Sequence, residues 1–114
     1  MLICTPKHFF VSDQSDQTVQ FFEHYTDKGL SSTTRSYGPT QYAERKTPTI
    51  TLNDLLQSEG VSRFDFLSMD IELSEPPALA GFDIEKYRPT LVCIEAHDPV
   101  RDQILEYFER ARYQ

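Results

Sequence analysis

The 114-residue sequence has no tryptophan, only two cysteines and four glycines, and no long hydrophobic run. No apolar stretch approaches the roughly 20 residues that a membrane-spanning helix needs, and the N-terminus lacks the pattern of a secretion signal. Cys4 and Cys93 lie far apart and form no C-x-x-C motif, which argues against a disulfide scaffold and a structural zinc site. We therefore expect a soluble protein of the reducing cytoplasm with no membrane partner.

Positive charge is also scarce, with 11 Lys and Arg residues against 18 Asp and Glu residues and a net charge of -7. This balance repels a phosphate backbone, and no basic cluster offsets it, so a nucleic-acid partner is not expected. The length allows one small domain, residues 1–114, whose folding buries somewhat under about 70% of the surface of the unfolded chain.

The first half of the chain predicts little regular structure. His8–Ser12 and Thr18–Phe22 flank the polar stretch "DQSDQ", a pattern typical of a β-hairpin. The segment from 23 to 48 has no hydrophobic period and is interpreted as a long loop. A short helix follows, because Thr51 is suited to cap its start and Gly60 to end it.

The second half contains two segments dense in apolar residues, Phe64–Met69 and Thr90–Ile94. Such runs are typical of parallel strands that are covered on both faces, so Cys93 in the second run is expected to be inert core. The segment between them predicts a helix, which makes a strand, helix and strand crossover with parallel, neighbouring strands. The sequence therefore predicts an α/β domain.

Helix signals surround the second predicted strand on both sides. The helix before this strand is expected to begin at Ser74 or Glu75 and to end at Gly81. The last helix is expected to have Asp98 as its N-cap and Pro99 at its first position, and to lie across the sheet. Its apolar side chains recur at helical spacing: Val100, Ile104, Tyr107, Phe108 and Ala111.

Polar side chains that are candidates for catalysis or ligand binding follow each of the two predicted strands. They are Asp70, Glu72 and Glu75 after the first strand, and Glu95, His97 and Asp98 after the second. In open parallel sheets, ligands bind beyond the carboxyl ends of the strands, where these residues are predicted to meet. Since neighbouring strands are about 4.8 Å apart, Asp70 and Glu95 are expected within reach of each other, with a proton, a cation or a cationic ligand between them.

Each of these residues also has an ordinary structural interpretation. Asp70 alone is typical of a turn former, and Glu72 of a solvated side chain. Glu75 precedes two prolines and is expected to stabilise the helix N-terminus through the helix dipole. A single histidine such as His97 before a helix is most often a capping or surface residue. The residues alone leave these alternatives open.

The order of segments "TPTITLNDLL", "FDFLSMDIELSE", "ALAGFD" and "RPTLVCIEAH" resembles the second half of the FkbM-type methyltransferases. The upstream segments "VSDQSDQTVQFFEH" and "GLSS" are similar to that family too. Its most specific pattern is a strand followed by Asp, Ile or Val, Glu, Gly, x and Glu, here Asp70 to Glu75. Leu73 departs from this pattern, because the family usually has glycine there. Glycine has no side chain, so it can adopt backbone conformations that leucine disfavours.

The resemblance implies a Rossmann-like fold and transfer of a methyl group from S-adenosylmethionine to a hydroxyl of a small molecule or glycan. The acceptor hydroxyl loses a proton as it attacks the methyl carbon, so a carboxylate or a histidine nearby acts as a general base or orients the acceptor. By resemblance, Asp70 is the expected base, and Glu72, Glu95 and His97 are the catalytic residues beside it.

The family's glycine-rich cofactor loop has no counterpart here, because the glycines Gly29, Gly38, Gly60 and Gly81 are isolated. Further strands expected after the last helix are absent as well. The sequence is therefore interpreted as a fragment with a partial Rossmann-like sheet. We expect it to bind S-adenosylmethionine weakly or not at all, to be inactive alone, and to self-associate through its uncovered sheet as a homo-oligomer.

Two alternatives from other functional classes remain open. In the first, Asp70, Glu72, Glu95 and His97 are ligands of Mg²⁺ or Mn²⁺ in a hydrolase-like, metal-binding module. Their spacing matches no recognised metal motif. In the second, the domain is a non-catalytic remnant with a structural or interaction role.

Overall fold

A computed structural model describes residues 4–24 and 42–114. The described elements include both strands and helices, which confirms the predicted α/β class at this level. In chain order they are β1 (Phe10–Val11), β2 (Thr18–His24), β3 (Tyr42–Ile50), α1 (Leu52–Ser58), β4 (Phe66–Met69), α2 (Glu75–Ala80), α3 (Ile84–Tyr87), β5 (Leu91–Ile94) and α4 (Asp98–Arg110).

The first three strands form a sheet in the order β1-β3-β2, so the predicted hairpin between the first two strands is wrong. β3 pairs in parallel with β1 and antiparallel with β2. The polar turn after β1 directs the chain to the far side of β3, because Thr49 bonds to two of its residues. The Asp16 amide donates to the Thr49 carbonyl at 3.1 Å, and the Thr49 amide donates to the Gln17 carbonyl at 2.8 Å.

β3 also corrects the prediction of a loop from 23 to 48. The sequence of the strand, "YAERKTPTI", is mostly polar and contains Pro48, which explains why it gave no strand signal. Residues 25–41 of the predicted loop lie outside the described residues.

The short helix α1 follows β3 directly and has the predicted cap. The Asp54 amide donates to the hydroxyl of Thr51 at 3.0 Å. Gly60, just after the helix, has a φ of 68°. This left-handed conformation favours glycine and turns the chain toward β4.

Strands β4 and β5 are parallel neighbours, as predicted, in the register Phe66↔Leu91 to Met69↔Ile94. The prediction that both faces are covered is wrong in the described part of the chain. Phe66 is 56% exposed and Leu91 is 60% exposed, on the face opposite the buried Met69. Cys93 lies on this open face and is exposed, which corrects its assignment to the core.

The covered face of β4 and β5 packs against α2 and α4. Its buried centre is Met69, Ala78, Leu79 and Ile104, and a second cluster consists of Phe82, Ile84, Tyr87 and Ala111. The predicted apolar stripe of α4 packs on these clusters. The helix begins at Asp98 with His97 as its N-cap, one residue earlier than predicted.

The described strands form a mixed three-stranded sheet and a separate two-stranded parallel sheet. They do not form one continuous, mostly parallel sheet, so the predicted Rossmann-like architecture is seen only in its local β4-α2-β5 unit. Within the described residues, no helix is long and apolar enough to cross a membrane. Self-association through the open face of β4 and β5 stays a prediction.

Candidate functional site

The carboxyl ends of β4 and β5 meet at one edge of the two-stranded sheet. The parallel register places Met69 beside Ile94, and the amide of Glu95 donates to the Met69 carbonyl at 3.1 Å. This last backbone bond holds the residue after β5 beside the residue after β4. The parallel pairing of β4 and β5 therefore places Asp70 and Glu95 side by side.

The neighbouring acidic side chains affect the ionisation of Glu95. The pKa of Glu95 is raised, first by a hydrogen-bond contact with the Asp70 side chain and then by partial loss of hydration. The charges of Asp70 and Glu72 raise this pKa further, while His97 lowers it. The sequence-based expectation that like charges at this edge raise one pKa agrees with this arrangement.

The turn after β4 carries Glu72 back toward β5. Glu72 and Leu73 have φ values of 51° and 75°, so two successive residues adopt the left-handed conformation. The Ser74 amide closes the turn on the Ile71 carbonyl at 3.2 Å. Leu73 stands where the resemblance leads one to expect glycine, and the backbone there has the conformation that glycine favours. The family pattern was the sequence signal for this turn.

His97 completes the cluster from the start of α4. Its Nε2 atom lies 2.9 Å from Oε1 of Glu95 and 3.7 Å from Oε2 of Glu72. The side chain makes no capping bond to its own helix, although it occupies the N-cap position. The ring faces the acids, and Nε2 is buried with no aligned hydrogen-bond partner among the described residues.

Glu75 lies below this edge and has a different environment. Its side chain is fully buried, and Oε1 accepts a hydrogen bond from the Ile71 amide at 3.2 Å. Oε2 is buried without a hydrogen-bond partner in the described part of the chain. Glu75 thus anchors the turn that presents Glu72, in addition to the predicted position at the start of α2. Its burial had no signal in the sequence.

The structure therefore brings together the four residues that the sequence singled out as catalytic: Asp70, Glu72, Glu95 and His97. Their catalytic role stays a prediction. Two cavities, of about 500 and 410 Å³, lie elsewhere, against α4 and its neighbours, and none of these four residues lines them. The cluster is an open edge, accessible to a ligand from outside the sheet.

Comparison with protein families gives one match that covers nearly the whole chain. The family model described as the Methyltransferase FkbM domain matches residues 5–114. The comparison with curated proteins found no match. The comparison with solved structures found none either.

Proposed function

This chain belongs to the FkbM methyltransferase domain family, and we propose that it serves S-adenosylmethionine-dependent methyl transfer to a hydroxyl group of a small molecule or glycan. The observation that carries the proposal is the placement of Asp70 and Glu95 side by side at the edge formed by β4 and β5, where the Glu95 amide donates to the Met69 carbonyl at 3.1 Å. Such an edge is where ligands bind in Rossmann-like sheets, to which the β4-α2-β5 unit is similar. In keeping with the two free cysteines, we assign this activity to the cytoplasm.

Asp70 is the proposed general base. Its side chain is exposed at the edge, so an acceptor hydroxyl can reach it. In this proposal Asp70 accepts the proton that the hydroxyl loses as it attacks the methyl carbon, with the Glu95 side chain beside it.

Glu72, Glu95 and His97 orient the acceptor in this proposal. The left-handed turn fixes Glu72, and the backbone bond from Glu95 to Met69 fixes the second strand end. The carboxylates of Glu72 and Glu95 both lie near Nε2 of His97. Hydroxyl groups of a sugar or a similar polyol can donate to these carboxylates, which makes such an acceptor a suitable partner.

The acid edge also suits the cofactor by charge. S-adenosylmethionine, when bound, supplies an electrophilic methyl group on a positively charged sulfonium, and the carboxylates of Asp70, Glu72 and Glu95 favour a positive charge beside them. The two described glycines, Gly60 and Gly81, lie after α1 and after α2. They form no glycine-rich turn at this edge, so we propose that this unit contributes the acceptor side of the site.

A chimera tests this function. Residues 64–114 replace the matching segment of an FkbM-family methyltransferase that contains the glycine-rich loop, and methyl transfer to the host's acceptor is measured by mass spectrometry. Circular dichroism and S-adenosylmethionine affinity first establish that the chimera is folded. We expect measurable transfer. A chimera that folds and binds the cofactor normally but transfers no methyl group would overturn the proposal.

The family match supports neither a hydrolase nor a non-catalytic remnant. The hydrolase alternative predicts hydrolysis that requires a metal, and the remnant predicts an inactive chimera. The same experiment therefore separates these alternatives from methyl transfer.

A further inference from the structure

Three metal-ligating side chains converge at the edge formed by β4 and β5: Glu72, Glu95 and His97. We propose that they bind one divalent transition-metal cation, of the class of Mn²⁺ or Zn²⁺. One ligand atom from each lies within 4.8 Å of the other two. In an octahedral site with bonds of about 2.1 Å, ligand atoms are separated by roughly 3.0 to 4.2 Å, so one ion can bridge this spacing after small side-chain adjustments.

The nitrogen of the histidine gives an independent reason to place a cation here. Nε2 of His97 is buried and lies 2.9 Å from Oε1 of Glu95, yet it has no aligned hydrogen-bond partner in the described residues. In the tautomer whose proton is on Nδ1, Nε2 presents a lone pair, and a lone pair beside a carboxylate oxygen is repulsive. A metal ion between them converts this repulsion into two coordinate bonds, because both atoms are then ligands.

The charge around the cluster points the same way. The carboxylates of Glu72 and Glu95 lie 3.7 and 2.9 Å from one imidazole, which supplies at most one positive charge. A divalent cation neutralises the excess negative charge that the described side chains leave at this edge.

The donor set selects the kind of metal. Mg²⁺ and Ca²⁺ prefer oxygen ligands alone, whereas one imidazole nitrogen with two carboxylates suits Mn²⁺, Fe²⁺ or Zn²⁺. Three protein ligands leave coordination positions free for water or for an oxygen of another molecule. If the proposed methyl transfer holds, that oxygen is the acceptor hydroxyl beside Asp70, and the cation lowers its pKa.

The site can be tested on the full chain without any methyl-transfer assay. The chain is freed of metal with a chelator and titrated with Mn²⁺, and free Mn²⁺ is followed by electron paramagnetic resonance. We expect saturable binding of one ion per chain, tighter than the binding of Mg²⁺ in competition. Paramagnetic Mn²⁺ should also broaden the His97 ring signals in the NMR spectrum before those of the other histidines.

Variants assign the ligands. Loss of a residue that only supports a metal ligand costs about 10- to 100-fold in affinity, and loss of a ligand itself should cost at least as much. His97→Gln and Glu72→Gln should therefore each weaken Mn²⁺ binding by about 10-fold or more. Asp65→Asn is the matched control, because it removes one exposed carboxylate at the opposite end of β4 and should leave the affinity unchanged. Circular dichroism verifies that each variant is folded, and the two ligand variants provide independent tests.

Absence of saturable binding would overturn the proposal. So would binding that Asp65→Asn weakens as much as His97→Gln does, because that result indicates diffuse attraction to an acidic surface. A third contradicting result is a His97 ring that stays protonated and shows no broadening by Mn²⁺, since an imidazolium then holds the two carboxylates by itself. None of these outcomes affects the chimera experiment, so failure of the metal site and failure of methyl transfer are distinguishable.

Discussion

The amide of Glu95 donates a hydrogen bond to the carbonyl of Met69 at 3.1 Å, and this bond places the Glu95 side chain beside Asp70. It continues the parallel pairing of β4 and β5 by one residue beyond the strands. The two carboxyl groups are thus held together by backbone geometry, against their mutual repulsion. Sites that are arranged for chemistry often contain such unfavourable pairs.

The repulsion predicts how stability depends on pH. The pKa of Glu95 is raised in the folded chain, so its contribution to stability is complete below its ordinary pKa and is lost as the pH rises through the raised value. Asp70→Asn removes the like charge and offers an amide donor to Glu95, so the pKa of Glu95 should fall. The melting temperature of this variant, relative to that of the unchanged chain, should therefore be higher at neutral pH than at pH 4.

Carboxyl-carbon NMR titration of Glu95 and melting curves at both pH values check this prediction. Asp65→Asn is the control, because Asp65 is exposed and lies at the other end of β4. An unchanged Glu95 titration in Asp70→Asn would show that the two side chains do not interact in solution.

The left-handed turn predicts an unusual order of stability at Leu73. Its φ of 75° is accessible to glycine without cost but strained for any residue with a Cβ atom. We expect Leu73→Gly to be more stable than Leu73→Ala by about 1 kcal/mol, the reverse of the order in a helix. Urea denaturation of both variants measures the difference. A greater free energy of unfolding for Leu73→Ala than for Leu73→Gly would contradict the turn geometry.

Glu75 is predicted to matter for folding through one hydrogen bond. Glu75→Ala leaves the half-buried Ile71 amide without its acceptor and should lower the free energy of unfolding by about 1 to 3 kcal/mol. Glu75→Gln keeps a carbonyl acceptor and should lose less. Glu85→Ala, at an exposed position in α3, serves as the control and should change stability by less than about 0.5 kcal/mol. Equal losses in Glu75→Ala and Glu85→Ala would show that the buried contact contributes nothing.

Tyr107 should make the chain sensitive to alkali. Its hydroxyl donates to the Phe82 carbonyl at 3.1 Å, and burial, followed by the charge of Asp83, raises its pKa to about 12. Because the folded pKa is above the ordinary value of 10.0, the stability that this group contributes is present below pH 10.0 and is lost as the pH rises toward 12. Tyr107→Phe should be less stable at neutral pH by about 1 kcal/mol but should lose less stability over this alkaline window. Unfolding is measured for both proteins across this pH range. A difference in free energy of unfolding that stays the same at every pH would contradict the prediction.

Local signals in the sequence were sufficient for the elements that position the site. Thr51 caps α1, and the two prolines lie in the first turn of α2, as predicted. The apolar runs form β4 and β5, which are parallel neighbours with Asp70 and Glu95 at one edge. These features depend on residues close together in sequence, or on the crossover rule that relates two parallel strands.

The rest depended on contacts between distant residues. β3 is polar along most of its length and exists because β1 and β2 pair with its two sides, which no periodicity in "YAERKTPTI" reveals. The burial of Glu75 follows from α2 packing against α4, and the contact of Glu72 with His97 follows from the two left-handed residues after Asp70. Sequence pattern alone cannot supply such tertiary placements.

Asp70→Asn in the methyltransferase chimera that contains residues 64–114 tests the central claim most directly. Methyl-transfer rate, S-adenosylmethionine affinity and melting temperature are measured on the same preparation, beside Asp65→Asn. If Asp70 is the general base, the rate falls by about 100-fold or more while the affinity is kept and the melting temperature at neutral pH does not fall, and the control remains active. An unchanged transfer rate per folded molecule in Asp70→Asn would contradict the account and remove Asp70 from the site.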